Sequence, residues 1–149
     1  MTDPVPFSGY FKGDTHYFAC RIYYEDTDFS GIVYHANYLR YFERARSDML
    51  RAIGIDQRAA HEAGDGVYAV SEMHIDYIQP AKLDDALVIK SQVHKIRAAA
   101  CHIQQIAMRG DNIVCTANVV AAFISPEGRP RRQPKPWVEA FQSVLTEPE

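Results

Sequence analysis

Cysteine, basic excess and long apolar runs are all scarce in this chain. Its three cysteines, Cys20, Cys101 and Cys115, are odd in number and fall at no metal-binding spacing. A disulfide framework and a zinc knuckle are therefore poor descriptions of it. Each cysteine sits among apolar, strand-like neighbours, the setting of a buried free thiol in a reducing compartment. No stretch approaches the roughly 18 uninterrupted apolar residues that a spanning helix needs, so no stable membrane insertion is expected. Lys and Arg number 16 against 19 Asp and Glu, a net charge of -3. A domain that grips nucleic acid carries the opposite balance, so no nucleic-acid partner is expected. Six histidines are present, but no two stand at HxH or HxxxH spacing, so no local metal pair is expected. The opening MTDPVPFSGYFKGD has neither a basic n-region nor an apolar h-region, and the expected compartment is the cytoplasm.

What is present suits one compact domain: 149 residues with an ordinary apolar share can bury a core of useful size. Residues 1–14, with Pro, Gly and Asp, read as a loose lead-in. Aromatic and β-branched residues from His16 to Tyr24 predict a strand, and EDTDFSG breaks it with a turn. From Asn37 to Ile53 the residues Tyr38, Phe42, Ala45, Met49 and Ile53 recur at three- and four-residue steps, which predicts an amphipathic helix. Glu43, Arg44, Ser47, Asp48 and Arg51 fall largely on its polar side, and Gly54 stands where a glycine stops a helix. Asp56 caps a second short helix that ends near Gly64. Residues 67–78, 86–96, 101–109 and 113–124 read as strands; the first alternates Met73, Ile75 and Tyr77 with Glu72, His74 and Asp76. The last two flank the turn GDN and form a hairpin. RPRRQPKPW is extended, and Trp137, Phe141 and Val144 predict a short terminal helix. One helix cannot hide both faces of such a sheet, so a second subunit is the economical cover.

The chemistry concentrates in RIYYEDTDFSGIVYHANYLRYFERAR, residues 21–46. Three acids, Glu25, Asp26 and Asp28, lie between a strand and a helix. A helix N-terminus presents unpaired N–H groups and a partial positive charge, which can hold an oxyanion. A carboxylate opposite those groups can activate water or attack directly. Acids before a helix are more often caps, so physics alone leaves both roles open.

This stretch resembles the active-site signature of the 4-hydroxybenzoyl-CoA thioesterase family, and within it the YbgC-type acyl-CoA thioesterases associated with the Tol–Pal system. The element order over about residues 16–125 and the closing SPEGRPRR support the resemblance. It implies an α+β hotdog fold, a five-stranded antiparallel sheet wrapped around a long central helix. It also implies one thioesterase domain over 1–149, with a core at about 16–125 and a basic extension at 126–149. The expected activity is hydrolysis of an acyl-CoA to free acid and CoA. Asp28 matches the catalytic carboxylate, nucleophile or general base. His35 matches the position of the oxyanion-hole amide and carries the side chain typical of the YbgC branch. Gly31, Val33 and Tyr34 fall at the bend into the helix and along the substrate.

CoA phosphates need cations, and Lys95, Arg97 and Arg131 are the candidates, with Arg109, Arg129, Arg132 and Lys135 behind them. Asp26 and Glu25 are expected to cap or pair locally, and Glu43 to pair with Arg40 or Arg46. No metal and no cofactor is expected, CoA being part of the substrate. A homodimer or homotetramer with its sites at the subunit interface is implied, with acyl carrier protein as a candidate partner. The competing readings are a non-hydrolytic acyl-CoA or acyl-carrier-protein binding module and a hotdog dehydratase. The first does not need a carboxylate beside an electrophilic carbonyl. The second places its His and acid in motifs absent here.

Overall fold

The computed structural model describes residues 2–146. Six strands form one antiparallel sheet: β1 (Tyr10–Lys12), β2 (Thr15–Arg21), β3 (Val67–Tyr77), β4 (Ala86–Ile96), β5 (Ala100–Arg109) and β6 (Asn112–Ile124). Their order is β1-β2-β4-β5-β6-β3. Three helices accompany them: α1 (Asn37–Ala52), α2 (Gln57–Glu62) and α3 (Lys135–Gln142). The expected hotdog arrangement is present, with one correction: the sheet has six strands rather than five. The extra strand, β1, lies in what the residues alone suggest is a loose lead-in. Gly13 and Asp14 close a two-residue hairpin between Lys12 and Thr15, Gly13 adopting φ +64°. Such turns demand positive φ and favour glycine. Tyr10 stacks on Tyr17 across the pair, ring centres 5.7 Å apart.

α1 forms where the periodicity places it, and its stop is explicit. The Gly54 N–H donates to the Arg51 carbonyl at 3.1 Å and the Ile55 N–H to the Leu50 carbonyl at 2.9 Å. Gly54 takes φ +84°. This is the Schellman pattern, and Leu50 and Ile55 join the same buried cluster. Asp56 caps α2 by accepting the Ala59 N–H at 2.9 Å.

The sheet supplies the other half of the core through strict alternation. Leu87, Ile89, Ser91 and Val93 of β4 face inward, as do Cys101, Ile103, Gln105 and Ala107 of β5. Tyr38, Tyr41, Phe42, Ala45 and Met49 of α1 are buried against this face. Each such large apolar side chain contributes roughly 1.5–3 kcal/mol on burial. Ile53, expected on the same stripe, is only half-buried, because it already belongs to the cap.

The polar-side assignment of Asp48 is also corrected, since it is buried. Its Oδ2 lies 2.8 Å from Nε2 of His16, a fully buried residue of β2, and accepts the Gly9 N–H at 2.9 Å. A Cβ on Gly9 would stand 2.1 Å from the Tyr17 carbonyl oxygen, so this approach requires glycine. A second buried polar knot joins helix to sheet. Gln105 donates to the Phe42 carbonyl and to Ser91 Oγ, each at 3.0 Å, and accepts from Arg46 at 2.9 Å. Arg46 is thereby turned to Gln105. Glu43 forms no ion pair with Arg40 or Arg46 among the described residues.

Candidate active site

The loop between β2 and α1 is built from its backbone outward. After β2, residues Tyr24–Asp26 make one 3-10 turn. Asp26 is buried and spends both carboxylate oxygens on structure: Oδ2 accepts the Tyr23 N–H at 2.8 Å and Oδ1 accepts Asn37 Nδ2 at 2.6 Å. The Asp26 carbonyl accepts the Tyr34 N–H at 2.9 Å. Asp26 therefore ties the turn to the first residue of α1, the local role expected of it. Glu25 is exposed.

Asp28 is oriented differently. A bridge between Thr27 and Val33 and a 2.9 Å bond from the Asp28 N–H to the Ile32 carbonyl fold residues 27–33 back on themselves. Gly31, at φ +82°, makes the reversal. The partly exposed Asp28 carboxylate accepts both the Ser30 N–H at 2.9 Å and the Ser30 hydroxyl at 2.5 Å. The Ser30 hydroxyl bond is the first cause that holds the Asp28 carboxyl below its ordinary value, with His35 adding a smaller charge effect. The group stands as a carboxylate at neutral pH.

The loop leads into the start of α1. Ala36 is the cap residue and no side chain bonds there. Among the described residues the His35 and Ala36 amides donate to no backbone carbonyl. These are the free N–H groups of a helix start. Aromatic rings cluster at the spot: His35 lies 4.7 Å from Tyr34 and 6.1 Å from Tyr77, centre to centre, and Tyr38 lies 5.8 Å from Tyr77. The Tyr77 hydroxyl donates to the His35 carbonyl at 2.9 Å, fixing the helix start against the end of β3. Val33 is buried and donates its N–H to the Ala81 carbonyl at 2.8 Å, whereas Tyr34 is exposed.

The fold thus gathers Asp28, Gly31, Val33, Tyr34 and His35 at one end of the sheet. It places Lys95, Arg97 and Arg131 elsewhere in the subunit. Ala86 starts β4 opposite Arg21, beside the loop; Lys95 stands nine residues along, roughly 30 Å away at about 3.4 Å per residue. Arg131 is engaged nearby, donating to the Asp65 carbonyl at 2.7 Å and to that of Gly64 at 3.3 Å. Cations at the Asp28 end include Arg21, Lys82 and Arg109. Ile32 bridges to Lys82, Arg21 donates to the Asp84 carbonyl, and Arg109 donates to that of Pro80.

Ser30 and Tyr77 are the residues missed by the sequence reading. Ser two residues after Asp is a recognisable turn signal. Tyr77 belongs to a strand 42 positions from its partner, and no local pattern announces it. Among the described residues no group of three or more His, Cys, Asp or Glu side chains is placed to hold a metal ion. No helix there is long and apolar enough to cross a membrane.

Comparison with known proteins places the chain in a family. The model of the thioesterase-like superfamily matches residues 23–145. The acyl-CoA thioesterase YbgC of Haemophilus influenzae is 38% identical over 128 residues, 85% of this chain and 94% of that protein. A probable thioesterase from Bartonella henselae superposes with a TM-score of 0.75 at 40% identity, covering 81% of this chain and 98% of its own. A DHNA-CoA thioesterase from Staphylococcus aureus, 20% identical, shares the fold at a TM-score of 0.82 over 89% of this chain and 97% of its own. The chain belongs to the thioesterase-like superfamily.

Proposed function

We propose that the chain is an acyl-CoA thioesterase, hydrolysing a thioester to free acid and CoA, with Asp28 as its catalytic carboxylate. One observation carries the residue assignment: a carboxylate held ionised by Ser30 stands in the loop that leads into uncapped helix-start amides. The relatives that cover most of the chain support the activity.

The thioester carbonyl directs its oxygen at the His35 and Ala36 amides. Asp28 attacks the carbonyl carbon or takes a proton from a water that does so. Charge develops on the oxygen and is met by N–H dipoles already in place. The carbon–sulfur bond then breaks and CoA leaves as thiolate; on the direct-attack route the acyl group remains as an anhydride on Asp28, which water then hydrolyses to the free acid and the regenerated carboxylate. A thiolate is a good leaving group, so the step needs no strong general acid, metal or cofactor. The His35 side chain orients the thioester or water, with Gly31, Val33 and Tyr34 lining its approach. Lys95, Arg97 and Arg131 lie too far from Asp28 within one subunit to serve the same bound CoA. Their proposed role at the phosphates therefore requires a neighbouring subunit, in a homodimer or homotetramer. A cytoplasmic setting, a Tol–Pal connection and acyl carrier protein as partner belong to the same reading.

The test is release of free thiol from short, long and aromatic acyl-CoAs by wild type and by Asp28→Asn. Wild type is expected to hydrolyse at least one, and the variant to lose about 100-fold or more, the scale of a lost general base. Binding without thiol release would replace the enzyme by a binding module. Full activity in the variant would move the catalytic role off Asp28.

A further inference from the structure

A cavity of about 560 Å³ runs between α1 and β3, a size ordinary for a small-molecule site. Its upper wall begins at Leu39, one helical turn beyond His35, and continues along α1 to Leu50. Those eleven steps span about 16 Å at the helical rise. Met73 and Val70 of β3 form the facing wall. Arg46 also borders it, but its guanidinium is turned to Gln105, which leaves its stem along the cavity. The groove thus starts beside the proposed oxyanion amides and leads away from them over largely apolar surface.

It ends on α3. Phe141, 1% exposed, joins Tyr68 and Cys101 at the far end; the Tyr68 and Phe141 rings are 6.2 Å apart, and Trp137 stacks on Tyr68 at 5.8 Å. The segment that carries Phe141 is pinned on both sides. Before it, the buried Gln133 accepts from the Tyr68 hydroxyl and from Cys101 Sγ. It donates to the carbonyls of Arg97 at 2.7 Å and Ala100 at 3.2 Å. After it, the Thr146 N–H donates to the Val93 carbonyl at 2.8 Å. The segment that carries the Phe141 ring is thus anchored on both sides of it.

Resting on the thioesterase reading above, we infer that this cavity receives the acyl chain and that Phe141, clamped by Gln133, is the floor that limits its length. The C-terminal segment then sets substrate range while standing far from the chemistry. The length of the acyl group is read by van der Waals contact, and a chain too long meets the buried Phe141 ring.

The experiment compares kcat/KM for butyryl-, octanoyl-, lauroyl- and palmitoyl-CoA by free-thiol release. Phe141→Ala opens the floor and should raise the palmitoyl-to-octanoyl ratio about tenfold, the scale on which an apolar pocket discriminates methylenes. Ala121→Leu, which narrows the cavity from β6, should lower the same ratio and decides the matter if Phe141→Ala does not fold. A ratio within twofold of wild type in a folded variant would overturn the floor and leave the activity standing. No thiol release by wild type from any acyl-CoA would overturn the activity itself, and the floor with it.

Discussion

His16 and Asp48 meet beneath the C-terminal half of α1, whereas Asp28 and His35 stand around its first turn. The residue types are the same and the surroundings opposite. His16 is fully buried and Asp48 nearly so. Burial is the largest influence on His16 and lowers its proton affinity, with Asp48 opposing. Asp28 is partly exposed, and its first influence is a hydroxyl that holds it ionised. A carboxylate committed to a buried imidazole and a backbone amide has no freedom to meet a substrate. A carboxylate whose partner is its own turn keeps an open side. Position relative to the helix sharpens the contrast, since only the loop pair lies beside free N–H groups.

The largest effect that separates the two pairs should be on stability. Asp48→Ala leaves His16 and the Gly9 N–H without their partner inside the protein, and the loss should be about 1–3 kcal/mol for each group left unpaired. Asp48→Asn keeps an acceptor for both and should cost clearly less. Urea unfolding of the two variants measures this; equal and small losses would show the pair to be dispensable. Asp28→Asn should do the reverse: about 100-fold or more off kcat, with a melting temperature close to wild type because the site is open to solvent.

A pH titration comes next in size. The folded-state pKa of His16 lies below its ordinary 6.5, so at acid pH the unfolded chain takes up a proton that the folded chain resists. The His16 contribution is complete above about pH 6.5 and is lost as pH falls below it toward the folded value. Melting temperature should therefore drop on acidification through that window. The His16-dependent part should vanish in His16→Gln, even though that variant starts lower. An unchanged slope in the variant would assign the acid sensitivity to other groups.

These contrasts also mark what the sequence could disclose. Periodicity finds α1 and the four long strands because burial on one face recurs at a fixed step. Acids, glycine and a helix start close together mark residues 25–37 as a place for chemistry, but only the family resemblance of residues 21–46 singles out Asp28 among the three acids. Asp48 escapes because its environment is made by His16, 32 positions away. Judged along α1 alone, an acid beside Ser47 looks solvated, yet the steps Tyr41, Ala45 and Asp48 follow the buried stripe. β1 is too short for alternation to register, although Gly13-Asp14 is a hairpin turn signal that points to it. The floor at Phe141 depends on a polar clamp that spans three segments, and no local pattern encodes such a meeting.

The smallest predicted effect tests how Asp28 is kept ready. Ser30→Ala removes the hydroxyl that donates to its carboxylate at 2.5 Å and leaves the Ser30 backbone bond at 2.9 Å in place. That hydroxyl is the first-ranked cause of the lowered pKa, so the variant's pKa should rise toward the ordinary carboxylate value. Activity that needs the ionised form is full above the pKa and falls as pH drops through it. The acid limb of kcat/KM should therefore move to higher pH in the variant, while the plateau near pH 7, far above either value, should change less than about tenfold. Thiol release followed in short assays, before acid unfolding develops, reads the limb directly. If the plateau instead fell as far as in Asp28→Asn, Ser30 would be orienting the carboxylate for attack and not merely holding its charge. If neither limb nor plateau moved, the bond between the two would have no part in the reaction.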